Sequence, residues 1–138
     1  MKRHFLIGLI LSLCTTAASA QGVLYECDVT QKKKDLDWIS DKVGIVVKAD
    51  GHVMVTDAVI LHFNKRPMPA TLVRDTPKRL DIRWTLTNTK DDRNQSTPHF
   101  DYTAQVNKKN MKFAIYGKPE NFPNRFVGKG TCRVRKGK

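Results

Sequence analysis

Three histidines, two serines and a scatter of carboxylates are what residues 21–138 offer for chemistry. Ser96 and His99 lie close together, with Asp91, Asp92 and Asp101 around them. A nucleophile, a base and an orienting carboxylate are the parts of a Ser-His-Asp triad. Ser96, however, sits in the polar stretch 88–98 and lacks the Gly-x-Ser-x-Gly turn that strains a nucleophile into position. Ser and Asp are also ordinary loop residues. His52, His62 and Asp57 fall on neighbouring stretches, but no His-x-x-x-His or His-Glu-x-x-His spacing is present. No metal site and no cofactor is therefore expected. The two glutamates, Glu26 and Glu120, have no Asp that spacing would bring beside them as a glycosidase pair. These residues favour a protein that is not an enzyme, with an unrecognised hydrolase kept as an alternative.

Cations are the stronger signal. Lys32-Lys33-Lys34 form a run, Lys65-Arg66 precede Pro67-Met68-Pro69, Lys108-Lys109 mark a turn, and Arg133, Arg135, Lys136 and Lys138 crowd the C-terminus. A second proline-stiffened loop, 118–125, carries Phe122 and Arg125. Proline restricts the free loop and so lowers the entropy lost when a partner orders it. A surface of this sign attracts polyanions and steers acidic partners. The candidate binding residues are Lys65, Arg66, Phe122, Arg125, Arg133 and Arg135. The expected partners are an anionic glycan, a lipid head group or an acidic protein of the envelope. No recognised nucleic-acid motif is present, so no specific nucleic-acid partner is expected. Trp84 and Tyr102 support a different alternative, a carrier holding a small apolar ligand among the aromatics of the interior.

The elements that must position these residues read as β throughout. Val23, Tyr25, Cys27 and Val29 alternate with more polar residues, the period of a half-buried strand. Stretches 43–48 and 52–56 flank Asp50-Gly51, which predicts a type I′ hairpin turn. Stretches 57–63 and 70–74 are further apolar runs, taken as strands. Leu80, Ile82, Trp84 and Leu86 share one face and match Val106, Ala104, Tyr102 and Phe100 of the next strand, which specifies the register. Arg83 then sits diagonally from Asp101 on the other face. A turn at 107–110 predicts that Met111, Phe113 and Ile115 oppose Val106, Ala104 and Tyr102. The last strand, 126–135, has Cys132 and Val134 on one side, together with Gly128 and Gly130, which predict a bend or a close contact. The helical candidate, 32–42, is weakly periodic and supports a turn or one short helix. Trp38 stands outside the alternation and is free to plug a barrel end or face a ligand.

The first twenty residues read as an address. Lys2 and Arg3 precede an apolar stretch from Phe5 to Leu13, and Ala18 and Ala20 satisfy the small-x-small rule for cleavage before Gln21. The stretch is far shorter than the roughly 20 residues of a membrane-spanning helix, so the chain is not expected to be transmembrane. Cys14 follows Leu13, a poor context for lipid attachment. The leader carries two of the 25 basic residues and none of the 13 acidic ones, so the net charge changes from +12 to +10 on cleavage. It also leaves two cysteines, Cys27 and Cys132, which an oxidising compartment would pair.

The expectation is a secretory signal peptide over 1–20 and a single domain over 21–138, periplasmic or secreted. Its fold class is all-β, a small antiparallel meander barrel of about eight or nine strands closed near its termini by one disulfide. A β-sandwich is the runner-up. The expected function is binding, through the basic surface, of an anionic envelope component or an acidic protein.

Overall fold

A computed structural model describes residues 22–33 and 37–137. The signal segment 1–20, Lys34 of the lysine run and the middle of the 32–42 helix candidate lie outside the described residues. The chain forms β1 (Val23–Lys32), β2 (Lys42–Val47), β3 (Val53–Asp57), α1 (Ala58–Asn64), β4 (Met68–Asp75), β5 (Arg79–Lys90), β6 (Ser96–Asn107), β7 (Lys112–Pro119) and β8 (Phe126–Lys136). Each strand pairs antiparallel with the next, and β8 returns to β1, which closes an eight-stranded meander barrel. Closure leaves no sheet edge unpaired. No helix among the described residues is long and apolar enough to cross a membrane.

The disulfide joins the two ends of the meander at the seam. Cys27 and Cys132 are directly opposite in the β1–β8 register and are bonded to each other. Both are buried. A cross-strand bond at this place holds together the one pairing that no hairpin turn brings about.

Inward residues alternate along every long strand. The β5–β6 ladder pairs Leu80 with Val106, Ile82 with Ala104, Trp84 with Tyr102 and Leu86 with Phe100, as the alternation predicts. The Trp84 and Tyr102 rings stack at 5.2 Å, and Phe100 stacks on Tyr102 at 4.8 Å. Burial of these rings supplies much of the core area.

Three local expectations are corrected. The 57–63 run is not a strand: its residues after Asp57 form α1. A short apolar run cannot be assigned to helix or strand by periodicity. Capping decides here, because the Asp57 carboxylate accepts a hydrogen bond from Ile60 N–H at 2.7 Å and Lys65 closes the helix at φ 62°. Val59, Ile60 and Phe63 then face the barrel.

The turn between β2 and β3 is not type I′. Only Gly51 has positive φ, and Lys48 N–H and His52 C=O are bonded across it. This is a three-residue loop with glycine in the left-handed position.

The β6–β7 register is displaced by two residues from the expected one. Phe113 opposes Val106, Ile115 opposes Ala104, and Gly117 opposes Tyr102. A two-residue slip leaves every side chain on the same face, so alternation cannot detect it. Gly117 settles the register: a Cβ there would lie 2.8 Å from Phe100 and 3.0 Å from Tyr102. Met111 is left in the turn, with φ 58°.

The barrel has two unlike ends. The turn end carries the 48–52, 76–78 and 107–111 turns. The helix end carries α1 and the β1–β2, β5–β6 and β7–β8 loops. At the turn end the Lys108 ammonium hydrogen-bonds the Asp75 carboxylate. Partial burial pulls the Lys108 pKa down, but Asp75 and the Tyr25 hydroxyl more than offset it and hold it above the ordinary lysine value. Lys108 thus ties the 107–111 turn to the end of β4.

Candidate functional site

The basic residues that face solvent together come from β5 to β8 and the turn end. Lys78, Arg79, Lys112 and Lys129 line an open cleft of about 560 Å³ that has no carboxylate among its lining residues. Its floor follows from strand parity. Gln105, Ala114, Lys129 and Gln31 form one outward row across β6, β7, β8 and β1. Asn107, Lys112 and Thr131 belong to the adjacent outward row. The β1 bulge between Val29 and Gln31, and the close approach of Gly130 to the Asp28 carbonyl, draw β1 and β8 together along one side of the cleft. Arg79 hydrogen-bonds Asp81 at 2.6 Å. Lys78, Lys112 and Lys129 make no ion pair among the described residues. Three uncompensated ammonium groups beside amides and hydroxyls present charge and directional hydrogen bonds in one concave surface.

A second cleft of about 680 Å³ lies on the same outer face and is lined by Arg83, Lys118 and Arg125 with Tyr116 and Thr103. The Arg125 guanidinium sits 5.1 Å from the Tyr116 ring centroid, a cation–π contact that holds the charge in place. Asp101 is the carboxylate on this lining. It accepts a 2.6 Å hydrogen bond from the Thr85 hydroxyl, and no Arg83–Asp101 ion pair forms among the described residues.

The other candidates are dispersed. Arg133 and Arg135 point outward as parity requires, but they face acidic neighbours on β1. Arg135 pairs with Glu26 at 2.9 Å, and Arg133 lies 3.5 Å from Asp28. The Lys42 ammonium first, and Arg133 with it, hold the Asp28 carboxyl below its ordinary value. Lys65 ends α1 and Arg66 is exposed beside it, both at the helix end. Phe122 is at the helix end too, in a small cleft shared with Trp38, Phe100 and Phe126. Trp84 and Tyr102 are buried and stacked face to face, so a ligand between them would have to displace core rings. Of the eight, Arg125 alone belongs to the basic outer face. Lys78, Lys112 and Lys129 were missed because they lie on three separate stretches, Lys78 beside Arg79 in a turn, Lys112 just past the Lys108-Lys109 turn and Lys129 alone in mid-strand. Strand parity combined with the closed β1–β8 pairing is the signal that groups them.

At the helix end, Trp38 plugs the barrel. Its ring stacks between Phe63 at 5.6 Å and Phe100 at 4.7 Å, and its carbonyl accepts a hydrogen bond from the Tyr102 hydroxyl at 3.0 Å. Beside it, a cleft of about 390 Å³ is lined by Trp38, His62 and Phe63 with Asp37, Asp91, Asp92 and Lys90, so carboxylates outnumber cations there, unlike on the strand face. No group of three or more metal-ligating side chains assembles among the described residues. No hydrogen bond joins His99 to Ser96 among the described residues. The His99 Nδ1 lies 2.9 Å from the Glu120 carboxylate, across the β6–β7 pairing.

Asp57, the cap of α1, is the buried carboxyl at this end. Burial pushes its pKa up, partly opposed by hydrogen bonds from Ile60, Ser40 and Val59. A raised folded-state pKa means that stability is fullest below the unfolded carboxyl value and is lost as pH rises through the folded one. Asp57→Asn keeps the capping oxygen and removes the charge. Relative to wild type, its stability should therefore rise between acidic and neutral pH. Urea melts across that range check this; a difference that stays flat with pH would overturn it.

Comparison with known proteins finds no family model that matches the chain, no similar curated protein and no similar solved structure.

Proposed function

We propose that this protein is an exported, non-catalytic barrel that binds an anionic glycan of the cell envelope in the basic cleft formed by Lys78, Arg79, Lys112 and Lys129. The observation that carries this is the lining itself: four cations and no carboxylate. The neighbouring Gln31, Gln105, Asn107 and Thr131 favour a hydroxyl-rich ligand over a lipid surface. The cleft is concave, and the large exposed apolar side chains, Leu61, Val73, Phe122 and Val134, lie outside it, so nothing in it would insert into a bilayer. Export is supported by the leader at 1–20 and by a disulfide, a bond that persists in oxidising compartments.

Titration with heparin-derived oligosaccharides and polygalacturonate, with neutral dextran as control, tests it. Both polyanions should bind, dextran should not, and affinity should fall steeply as salt is raised, because exposed charges are screened beyond a Debye length of about 8–10 Å. Lys112→Gln with Lys129→Gln should weaken binding by roughly 10- to 100-fold, since hydrogen bonds to charged groups contribute about 1.5–3 kcal/mol each when buried and less when exposed. Equal binding of dextran, or an unchanged double variant, would remove the proposal. The mass of the protein from its native envelope should correspond to a start at Gln21 and the loss of two hydrogens.

A further inference from the structure

We infer that the glycan runs along the β6–β7 hairpin and fills both basic clefts at once, so that the barrel selects linear anionic chains of about 20 Å or longer. This rests on the glycan-binding function proposed above and adds the shape of the ligand.

The two clefts divide the outward face of one hairpin without a gap. On β6 the outward residues are Asp101, Thr103, Gln105 and Asn107, and on β7 they are Lys112, Ala114, Tyr116 and Lys118. Gln105, Asn107, Lys112 and Ala114 line the first cleft, whereas Asp101, Thr103, Tyr116 and Lys118 line the second. No outward residue of the paired strands is left between them. The boundary falls between Ala114 and Tyr116, and between Gln105 and Thr103. Ala114, the smallest of these side chains, keeps the floor low where the clefts meet.

Cations recur along this track. Lys112 stands at its turn end, Lys129 is level with Ala114, Arg83 is level with Tyr116 across the Thr103 pairing, and Lys118 stands at its far end. Lys112 and Lys118 are six residues apart on one strand, about 20 Å at strand rise. Arg83, Lys118 and Arg125 make no ion pair among the described residues. Arg125 is already ordered over Tyr116, which reduces the entropy lost on binding. A polymer with a negative charge at regular intervals matches a row of separated cations; a compact anion matches one end of it. Once one cleft is filled by a long chain, the second binds intramolecularly, at a raised effective concentration.

The test is affinity against chain length, with heparin-derived oligosaccharides from disaccharide to decasaccharide on the full-length mature protein. Affinity should rise at least about tenfold once the extended chain exceeds about 20 Å, the length needed to reach the second cleft. Arg83→Gln with Arg125→Gln should abolish that rise while leaving the affinity for the shortest binding chain unchanged. Lys118→Gln, which leaves the Tyr116 contact intact, should reduce the rise in the same direction. All three side chains are exposed, so Lys118→Gln should leave the thermal midpoint in place and the double variant should lower it only by the loss of the Arg125–Tyr116 contact. Short chains that bind as well as long ones, or a double variant that binds long chains like wild type, would overturn the extended track and leave the first cleft standing. Failure of every chain to bind would instead overturn the glycan-binding function itself.

Discussion

Cys27→Ala with Cys132→Ala is expected to lower the free energy of unfolding by about 4 kcal/mol, and the thermal midpoint by more than about 10 °C, without abolishing the barrel. The bond spans 105 residues. In the chain-entropy treatment, a loop of roughly 100 residues contributes about 4.7 kcal/mol, and measured values commonly fall below that. The barrel should survive because the seam has its own ladder, running from the Val23–Lys136 pair to the Lys32–Gly128 pair. What is lost is the constraint on the unfolded chain, whose first and last strands must otherwise find each other from opposite ends. Urea melts of the double variant against wild type measure it. A loss below about 1 kcal/mol would mean that the ends stay close in the unfolded ensemble without the bond.

Gly130→Ala should be nearly as damaging, at about 3 kcal/mol or more, and clearly worse than Gly128→Ala at about 1–2 kcal/mol. Both changes add one methyl group at the same seam. At Gly130 the new Cβ would fall 1.8 Å from the carbonyl oxygen of Asp28, a backbone atom held by the β1 ladder and bulge. Relief there requires the strands to part. At Gly128 the clash is with methyl groups of Ile39, Val29 and Ile115, at 2.7, 2.9 and 3.0 Å. Relief there asks buried side chains to repack but leaves the strand pairing in place. The order of the two variants in equilibrium unfolding is the readout, supported by faster amide exchange along β1 and β8 in Gly130→Ala. Equal losses would show that the seam backbone yields as readily as side chains do.

Much of the core could be read from the chain. Trp84 against Tyr102 and Leu86 against Phe100 are legible because four inward residues in each strand meet four inward residues in the next. Glycines at 128 and 130 were legible as places of close packing, since both lie on the inward side of β8. The candidate site was much less legible. Arg133 and Arg135 form the densest run of cations in β8, yet Glu26 and Asp28 stand beside them on β1. Sequence density of charge says nothing about what the neighbouring strand holds. Lys78, Lys112 and Lys129 lie on separate stretches and become a cluster only when the β4–β5 turn, β7 and β8 are brought together by closure.

The sequence by itself determined the class of fold, the inward and outward faces of the strands, the pairing of β5 with β6 and the partner of each cysteine. Each of these follows from local alternation or from a count, and local patterns survive without knowledge of the rest of the chain. Tertiary structure alone decided the helix at 58–64, the β6–β7 register and the grouping of the basic face. The helix depends on a buried cap and a barrel end to cover; the register depends on whether a glycine lies under Phe100 and Tyr102. The basic face depends on which outward rows become neighbours after closure. Those are relations between residues distant in sequence, and a period-two pattern is blind to them because a shift of two residues, or a change of neighbouring strand, leaves the pattern itself unaltered.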